Sequence, residues 1–395
     1  MTIPPALRVV VWGTYDLGKP RTRILLRGLK ECGLGPIECH AEVWAGVEDK
    51  AGLAGWGERL RIALRWLAAY PSLVWRYLRL PRHDVVLVGY LGHLDVLVLW
   101  PFAKLRGVPI LWDAFLSLHE TVVEDRKMVG KAHPLALALY GWDWLAVRAA
   151  DLVLLDTAAH ADWFQQRFRL APGRTAAVFV GAEPEAFAAV PPAAPRHPGE
   201  PTRVLFYGQF IPLHGIDTII DAAALSRPAA YRWTIIGDGQ EAPRIRRRLA
   251  ERPVANLAWV PSVPYAELQH HIAAADVCLG IFGGSGKAER VIPNKVFQAL
   301  IAGRPLVTRD SPAMRELVGD GIAGVALVPP NDAAALLAAL DRMAVNRAEL
   351  DLRPLRALRD RLCPAAIGRS LASLLATVAQ SRAPAGRAGR AATLP

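Results

Sequence analysis

Short runs of apolar residues alternate with stretches of helical spacing along most of the chain. The runs of the first half that have the length and composition of buried strands are Leu7–Trp12, Val85–Gly89, Ile110–Trp112, Leu152–Leu155 and Ala177–Val180. Between them, segments such as Ile24–Cys32 and Ala158–Arg167 repeat apolar residues every three to four positions, which predicts helices. Alternation of strands and helices is typical of a doubly wound parallel sheet, so we expect an α/β fold.

A second alternating series begins near residue 203. Its predicted strands are Arg203–Tyr207, Arg232–Ile236, Leu257–Val260, Val277–Ile281, Leu306–Thr308 and Val325–Val328. Its predicted helices are Ile216–Ser226, Ala242–Arg252, Ala333–Met343 and Ile367–Gln380. At 395 residues the chain is long enough for two cores. Two Rossmann-like halves place the expected ligand site in a central cleft between them.

The boundary between the two halves is rich in proline. We place a hinge at residues 188–201, because prolines recur there without helical or strand spacing. The predicted organisation is a domain over residues 1–187, the hinge, a domain over 202–362, and a helix over 363–380 that packs back on the first domain. Residues 381–395 have the composition of a disordered tail.

The formal net charge of +11 predicts an anionic partner, either nucleic acid, a phospholipid surface or a phosphorylated substrate. An arginine-rich composition without a partner is the alternative. Nucleic acid is the least favoured partner, because the basic residues are scattered and no base-stacking module is visible. Four cysteines have neither metal nor disulfide spacing, which indicates reduced thiols. Without a signal peptide or an uninterrupted spanning segment, we expect a cytoplasmic protein.

Basic and aromatic residues are mixed in the segment Gly57–Asp84, which Pro71 is expected to divide into two short helices. Arginines such as Arg65 beside Trp66 and Trp75 suit the headgroup region of a membrane. The alternative is a surface helix whose aromatic side packs on the sheet. In the first glycine turn, Arg21 either meets a ligand or lies in a solvated turn.

A glycine-rich loop between Val277–Ile281 and the helix that starts at Asn294 has the composition of a phosphate site. Lys287, Arg290 and Lys295 supply three cations, and a helix N-terminus adds free backbone N–H groups. A solvated basic loop is the alternative. No metal site is expected.

Acidic residues follow the strand Ile110–Trp112, at the strand end where α/β sheets place ligands. Asp113 and His119 are therefore candidate catalytic residues, because an aspartate at a strand end can act as a base or orient a hydroxyl. A cap on the following helix is the alternative role for Asp113.

Four blocks of the second half resemble family-4 glycosyltransferases of the GT-B fold. They are YGQFIPLHGIDTIIDAA, TIIGDGQE, ALIAGRPLVTRDSPAMRE and GVALVPPNDAAAL, in matching order and spacing over residues 203–343. The resemblance implies a retaining, hexosyltransferase-type enzyme that takes a sugar from a UDP- or GDP-sugar without a metal or other cofactor. It implies that the first domain binds the acceptor and the second binds the nucleotide-sugar.

The resemblance also assigns residues to the donor. Gly208 and Gly215 flank the loop under the phosphates, the turn Gly237–Gly239 lies near the base, and Gln298 takes the place of a glutamate that holds the ribose. The full donor-binding set that we predict is Gly208, His214, Gly215, Gly237, Asp238, Gly239, Lys287, Arg290, Lys295, Gln298, Ser311 and Glu316.

Departures from the family pattern leave two interpretations. Gln209 and His214 replace an arginine and a lysine, and Arg290 and Gln298 replace both glutamates of the Glu-x7-Glu motif. We expect the phosphate cations to have moved to Lys287, Arg290 and Lys295. The predicted function is transfer to a lipid-linked or membrane-proximal saccharide at the inner face of the membrane. The alternatives are a non-catalytic binding or scaffold protein and, less favoured, a nucleotide-sugar epimerase.

Overall fold

The computed structural model describes residues 7–44, 56–187, 199–345 and 353–381. They form two domains, each built on a six-stranded parallel sheet. The first sheet has the order β2-β1-β3-β4-β5-β6, and its register is fixed by pairs such as Val9 with Val85. Its strands are β1 (Val9–Gly13), β2 (Ile37–His40), β3 (Val85–Val88), β4 (Ile110–Asp113), β5 (Leu152–Leu155) and β6 (Thr175–Ala177).

Helices cover both faces of the first sheet. They are α1 (Pro20–Glu31), α2 (Trp56–Arg79), α3 (His93–Arg106), α4 (Pro134–Ala149) and α5 (Ala158–Arg167), with a π-helical turn at Glu120–Asp125. One core cluster contains side chains of α1 together with Val9 and Val11. Another contains side chains of the four helices α2, α3, α4 and α5 together with Val10 and Trp12. Alternate residues of β1 therefore serve opposite faces, as the period of a strand requires.

The second sheet has the order β12-β11-β10-β7-β8-β9. Its strands are β7 (Thr202–Tyr207), β8 (Tyr231–Ile236), β9 (Leu257–Val260), β10 (Val277–Leu279), β11 (Leu306–Arg309) and β12 (Val325–Val328). Its helices are α6 (Ile216–Leu225), α7 (Ala242–Glu251), α8 (Tyr265–Ala274), α9 (Gly286–Arg290), α10 (Asn294–Ile301), α11 (Pro312–Val318) and α12 (Ala333–Val345). The expectation of two doubly wound, Rossmann-like domains is thus confirmed.

Pro71 does not divide α2, which runs unbroken from Trp56 to Arg79. A proline cannot donate to the carbonyl four residues earlier, here that of Leu67. Both Pro71 and Leu67 are exposed, so water can bond that carbonyl. Leu73 and Tyr77, beyond the proline, are buried against the sheet and hold the helix in line. Tertiary packing offsets the break that the local sequence predicts.

The last helices, α13 (Arg353–Leu362) and α14 (Pro364–Ser381), follow the second domain, and α14 packs on α1 of the first domain. The two helices cross where Gly28 meets Gly368. A Cβ on Gly368 would lie 2.1 Å from the carbonyl carbon of Gly28. Larger residues at this crossing would push the backbones apart. Leu371 and Leu375 are fully buried nearby, each worth about 1.5–3 kcal/mol.

Two expected segments lie mainly or wholly outside the described residues. Only Gly199–Pro201 of the predicted hinge is described, and 382–395 of the predicted tail is not. Ser381 ends α14.

Among the described helices, none alone has the length and apolar character of a membrane span. The pair α13 and α14 meets those criteria only when taken together across a 48° bend.

Candidate functional site

Lys295, in the first turn of α10, is the most unusual cation of the described chain. Its side chain is 5% exposed, and its Nζ has no hydrogen-bond partner among the described residues. The ammonium lies 3.9 Å from the centre of the Phe206 ring. Burial lowers the pKa of Lys295 well below its usual range. A buried cation without a counter-charge is unfavourable, so an anionic ligand would stabilise it.

Gly208 and His214 surround the Lys295 ammonium at the carboxyl end of β7. A Cβ on Gly208 would lie 2.8 Å from Lys295 Nζ and 3.4 Å from His214 Cε1. Gly208 also has φ +138°, a conformation that favours glycine. His214 Nδ1 bonds the Gln209 carbonyl, and burial together with Lys295 lowers the pKa of His214 well below its usual range. We call Gly208, His214 and Lys295 the phosphate cradle.

Neighbouring turns bring other predicted donor residues to the same end of the sheet. Gly215, with φ +64°, lies so close to Gly283 that an added Cβ would be 2.6 Å from the Gly283 nitrogen. A Cβ on Gly237 would be 1.9 Å from the Gly208 carbonyl oxygen. Gly239 accepts no side chain either, because it faces the backbone of Phe210. Asp238 is exposed, and its Oδ1 accepts the Gly239 N–H at 2.7 Å.

Gln298 lies one turn beyond Lys295 on α10. Its Nε2 is 3.4 Å from the Tyr265 hydroxyl oxygen, and its side chain is nearly buried. Gln298 and Lys295 are three residues apart and therefore share one side of the same helix. This is compatible with the ribose contact that the resemblance implies.

Lys287 and Arg290 contact the first domain in this structure. Arg290 forms an ion pair with Glu120, and its guanidinium carbon lies 4.6 Å from the centre of the Trp163 ring. Lys287 Nζ donates to Thr121 Oγ1 at 2.9 Å and lies 3.7 Å from Asp125 Oδ2. Both cations have carboxylate partners, unlike Lys295. Their predicted role in holding phosphate stays a prediction.

Glu120, one of the acidic residues that follow β4, belongs to a buried charge network. One oxygen pairs with Arg290, and the other lies 3.8 Å from His160 Nε2. His160 Nδ1 is 2.7 Å from Asp156 Oδ1. The π-helical turn and the start of α5 bring these groups together. The only signals in the sequence were an acidic run after β4 and a histidine early in a predicted helix.

Glu316 also joins the domains, because its carboxylate caps α5 from α11. Its oxygens accept the N–H groups of Ala158 at 2.8 Å and Ala159 at 2.6 Å. Burial raises the pKa of this carboxyl. Ser311 is buried and its Oγ accepts the Met314 N–H at 3.1 Å, which caps α11 itself. Glu316 thus has a structural partner in the first domain, and Ser311 has one within its own helix.

Arg309, at the end of β11, holds the glycine-rich loop and was not predicted. Its buried guanidinium donates to the Gly283 carbonyl and, at 3.4 Å, to the Ser285 carbonyl. Buried arginines bonded to loop carbonyls fix a loop that has few side chains of its own. The loop beside the cradle is therefore anchored from the sheet.

The candidate catalytic residues Asp113 and His119 contact different partners. Asp113 is buried and accepts from Arg21 at 2.6–2.9 Å, while burial raises its pKa against the effect of that arginine. Arg21 also bonds the carbonyls of Val178 and Leu155, so this pair ties strand ends together. His119 packs edge-on against Tyr140, 5.7 Å between ring centres. Their catalytic role stays a prediction.

The residues predicted for the acceptor or membrane side have different surroundings. Trp66 faces inward, and its Nε1 donates to Thr14 Oγ1 at 2.7 Å. Trp75 is exposed, with the Arg79 guanidinium carbon 3.8 Å from the centre of its ring. Arg65 reaches the Val43 carbonyl at 3.5 Å.

A cavity of about 540 Å³ opens between the domains on the side of α13 and α14. Asp156, Phe179, Glu316, Arg361 and Arg369 are among its lining residues. Within the described residues, no group of three or more histidine, cysteine, aspartate or glutamate side chains could hold a metal ion.

The second domain is similar in sequence to known glycosyltransferases. Residues 201–346 match the family described as "Glycosyl transferases group 1", a segment that contains the cradle. The "Probable glycosyltransferase WbjE" of Pseudomonas aeruginosa is 28% identical over 158 residues, which cover 38% of this chain and 36% of that protein. The match thus spans about a third of the relative's length.

Solved structures share the fold over nearly the whole chain. Anabaena HepE in complex with UDP has a TM-score of 0.66 at 12% identity, covering 94% of this chain and all of that one. Sucrose-phosphate synthase from Thermosynechococcus elongatus has a TM-score of 0.63 at 16% identity, covering 95% and 97%. The lipopolysaccharide outer core galactosyltransferase WaaB has a TM-score of 0.62 at 15% identity, covering 94% and 99%. These likenesses show the GT-B fold.

Proposed function

We propose that the chain is a retaining glycosyltransferase that moves a sugar from a UDP-sugar to a lipid-linked or membrane-proximal saccharide acceptor. The observation that carries the proposal is the buried ammonium of Lys295, which has no hydrogen-bond partner among the described residues and lies beside Gly208 and His214. The match of residues 201–346 to the glycosyltransferase family supports it. The complexes of HepE with UDP and UDP-glucose, on the same fold, favour uridine as the base.

The cradle suits the charge that develops during transfer. Breaking the bond between the anomeric carbon and the diphosphate oxygen leaves a cationic sugar and gathers negative charge on the phosphate. Lys295 and the backbone N–H groups at the start of α10 would stabilise that charge before and during the break. Burial strengthens the interaction, because few water molecules screen it. The products are a nucleoside diphosphate and the glycosylated acceptor.

Retention requires that the acceptor oxygen bond the same face of the sugar that the diphosphate leaves. In the mechanism we propose, the departing phosphate oxygen takes the proton of the acceptor hydroxyl. No protein carboxylate then has to act as a nucleophile. The placement of Asp113 in an ion pair with Arg21 is compatible with this route.

The acceptor would approach from the first domain, at the inner face of the cytoplasmic membrane. Exposed apolar residues on α2, including Trp75, support a membrane-proximal acceptor.

The test combines binding and turnover. UDP, GDP and their common sugar conjugates are screened by thermal shift, since a ligand at 100 times its Kd stabilises by about 2.7 kcal/mol. Conjugates that bind are then followed by proton NMR for release of UDP and for the anomeric configuration of the product. We expect UDP to raise the unfolding temperature. We also expect the anomeric proton of the product to have the same axial or equatorial orientation as in the donor. A response to GDP alone would contradict the uridine assignment, and an inverted product would contradict retention.

A non-catalytic binding protein is the second candidate, and Arg290 and Gln298 at the positions of the two motif glutamates favour it. It predicts nucleotide binding without hydrolysis or transfer from any donor. The absence of any nucleotide response from folded protein would contradict both candidates.

A further inference from the structure

Helix α2 has two apolar sides, and only one of them faces the core. Its inner side, with Ile62, Tyr70, Leu73 and Tyr77, is buried against the first sheet. A second apolar stripe runs along the opposite side. Its members, at spacings of three and four residues, are Leu60, Leu64, Leu67, Pro71, Trp75 and Leu78. These spacings place all six on one line of an α-helix.

The stripe is strongly exposed and extends over roughly 27 Å at 1.5 Å per residue. Leu60 is 60% exposed, Leu64 57% and Trp75 57%. An ordinary amphipathic helix would carry polar residues there. A stripe of this length on the outside therefore marks a surface for interaction.

The neighbouring helices α3 and α4 continue this surface. All three helices pack on the same face of the sheet, α3 beside α2 and α4 beside α3. Their outward side chains include Leu105, at 82% exposed, and Leu137, at 68%. Trp100 and Trp144 are exposed on the same layer. Tryptophan and leucine are the side chains that insert best into the boundary between headgroups and acyl chains. We call the exposed side of α2, α3 and α4 the outer layer.

Among the described side chains, the exposed charges of the outer layer are all positive. Arginines or lysines at 61, 65, 76, 79 and 104 are exposed beside the apolar residues. Within the described side chains of Leu60–Arg79, α3 and α4, the carboxylates are Asp95 and Asp143, and both are buried. Arginine stems lie along apolar surface while their guanidinium groups reach phosphate.

We propose that the outer layer docks the protein on an anionic lipid bilayer, with α2 lying in the plane of the headgroups. Charge complementarity selects this partner. A second copy that used the same face would bring arginines against arginines, because a two-fold interface pairs identical patches. An anionic bilayer offers both apolar depth for Leu64 and Trp75 and phosphate for the arginines.

The docking fits the direction of the helix. Because β2 ends at the carboxyl edge of the parallel sheet and α2 returns to the start of β3, the Leu60 end of α2 lies on the side of the cleft. A bilayer under the outer layer would thus bring lipid-linked acceptors to the mouth of the cleft. The docking proposal rests on the surface itself and does not require the donor assignment.

The experiment is co-sedimentation of the full chain with vesicles of phosphatidylcholine alone or with 30% phosphatidylglycerol. We expect binding to the anionic vesicles, weakened by salt, and little binding to the neutral ones. The double variant Leu64→Ser/Trp75→Ser should lower the vesicle affinity at least tenfold. Arg61→Gln/Arg79→Gln should lower it about fivefold for each arginine at low salt. Leu225→Ser, on α6 of the second domain and equally exposed at 61%, is the matched control and should bind like the wild type.

Urea unfolding of each variant, measured without vesicles, separates a folding defect from a docking defect. Failure of the wild type to bind anionic vesicles would overturn the proposal, as would equal losses in Leu225→Ser. Sedimentation velocity without lipid tests whether the stripe instead mediates self-association. A dimer that Leu64→Ser/Trp75→Ser abolishes, together with vesicle binding that it leaves intact, would assign the stripe to self-association instead.

Discussion

Two sets of cations around one glycine-rich loop differ in what neutralises them. Arg290 and Lys287 reach across to Glu120 and Asp125 of the first domain. Lys295 is buried at the end of β7 with no partner among the described residues. Sequence proximity made the three equivalent candidates for phosphate binding. The comparison teaches that a cation is available to a ligand only if the fold has not already paired it.

The largest expected effect comes from removing Arg290, one of the two cations that the first domain already pairs. Arg290→Met leaves Glu120 buried without its partner, and such a loss costs about 3–5 kcal/mol. Urea unfolding should therefore show a clearly lowered midpoint. Adding Glu120→Gln should restore part of the stability, because the orphaned charge is gone.

The control for this prediction is Arg315→Met, which removes an exposed partner of Asp310. Its midpoint should change little, since water screens exposed pairs. If Arg290→Met and Arg315→Met had the same midpoint, the pairing across the domains would not contribute to stability.

A smaller effect is the uptake of protons by Lys295 and His214 when the nucleotide binds. Burial lowers the pKa of Lys295 and His214 in the free protein. A bound diphosphate favours their charged forms, so both pKa values should rise and binding should take up protons. UDP affinity should then increase as pH falls, by up to about tenfold per pH unit for one proton. Titration calorimetry in HEPES and in Tris, which differ in ionisation enthalpy, measures this uptake.

The same lowered pKa values determine whether the stability of the free protein rises or falls with pH. Between the folded and the ordinary pKa values, the unfolded chain binds more protons at these two groups. Their contribution to stability therefore rises with pH through that window. Equal binding heats in the two buffers at every pH would show that neither group meets the ligand's charge.

The smallest effect tests the residue beside the cradle. Gln298→Glu restores a carboxylate at the position that the resemblance assigns to the ribose. A charge-assisted hydrogen bond should improve UDP affinity by about 0.5–1 kcal/mol after the cost of burial. The gain should vanish with a uridine diphosphate that lacks the 2′ and 3′ hydroxyls. An equal gain with that analogue would place the ribose elsewhere.

Most of the fold was predictable from apolar runs and their spacing. The strand Leu152–Leu155 matches the expectation to the residue, because its continuous burial leaves a plain apolar signal. Val325–Val328 matches it as well, although its first three residues are only half-buried. Pro71 was misjudged, since its helix is held by side chains that contact β1 and β2. Local sequence rules consider only the hydrogen bond that proline removes. Packing against residues distant in sequence determines whether the helix continues.

The site was predictable only in part. Gly208, His214 and Lys295 were all named from the sequence, and the structure brings them together. The partner of Arg290 was not foreseeable, because Glu120 is 170 residues away and belongs to another domain. The inward turn of Trp66 was equally hidden, since a helical repeat gives two apolar sides without saying which one is buried.

UDP titration by calorimetry of the wild type, Lys295→Met and Lys287→Met tests the central claim most directly. We expect Lys295→Met to bind UDP about 10- to 150-fold more weakly, because one charge-assisted bond of about 1.5–3 kcal/mol is lost. Lys287→Met, whose ammonium is already partnered, should stay within about threefold of the wild type. The reverse order, or equal losses in the two variants, would contradict the assignment of the diphosphate to the phosphate cradle.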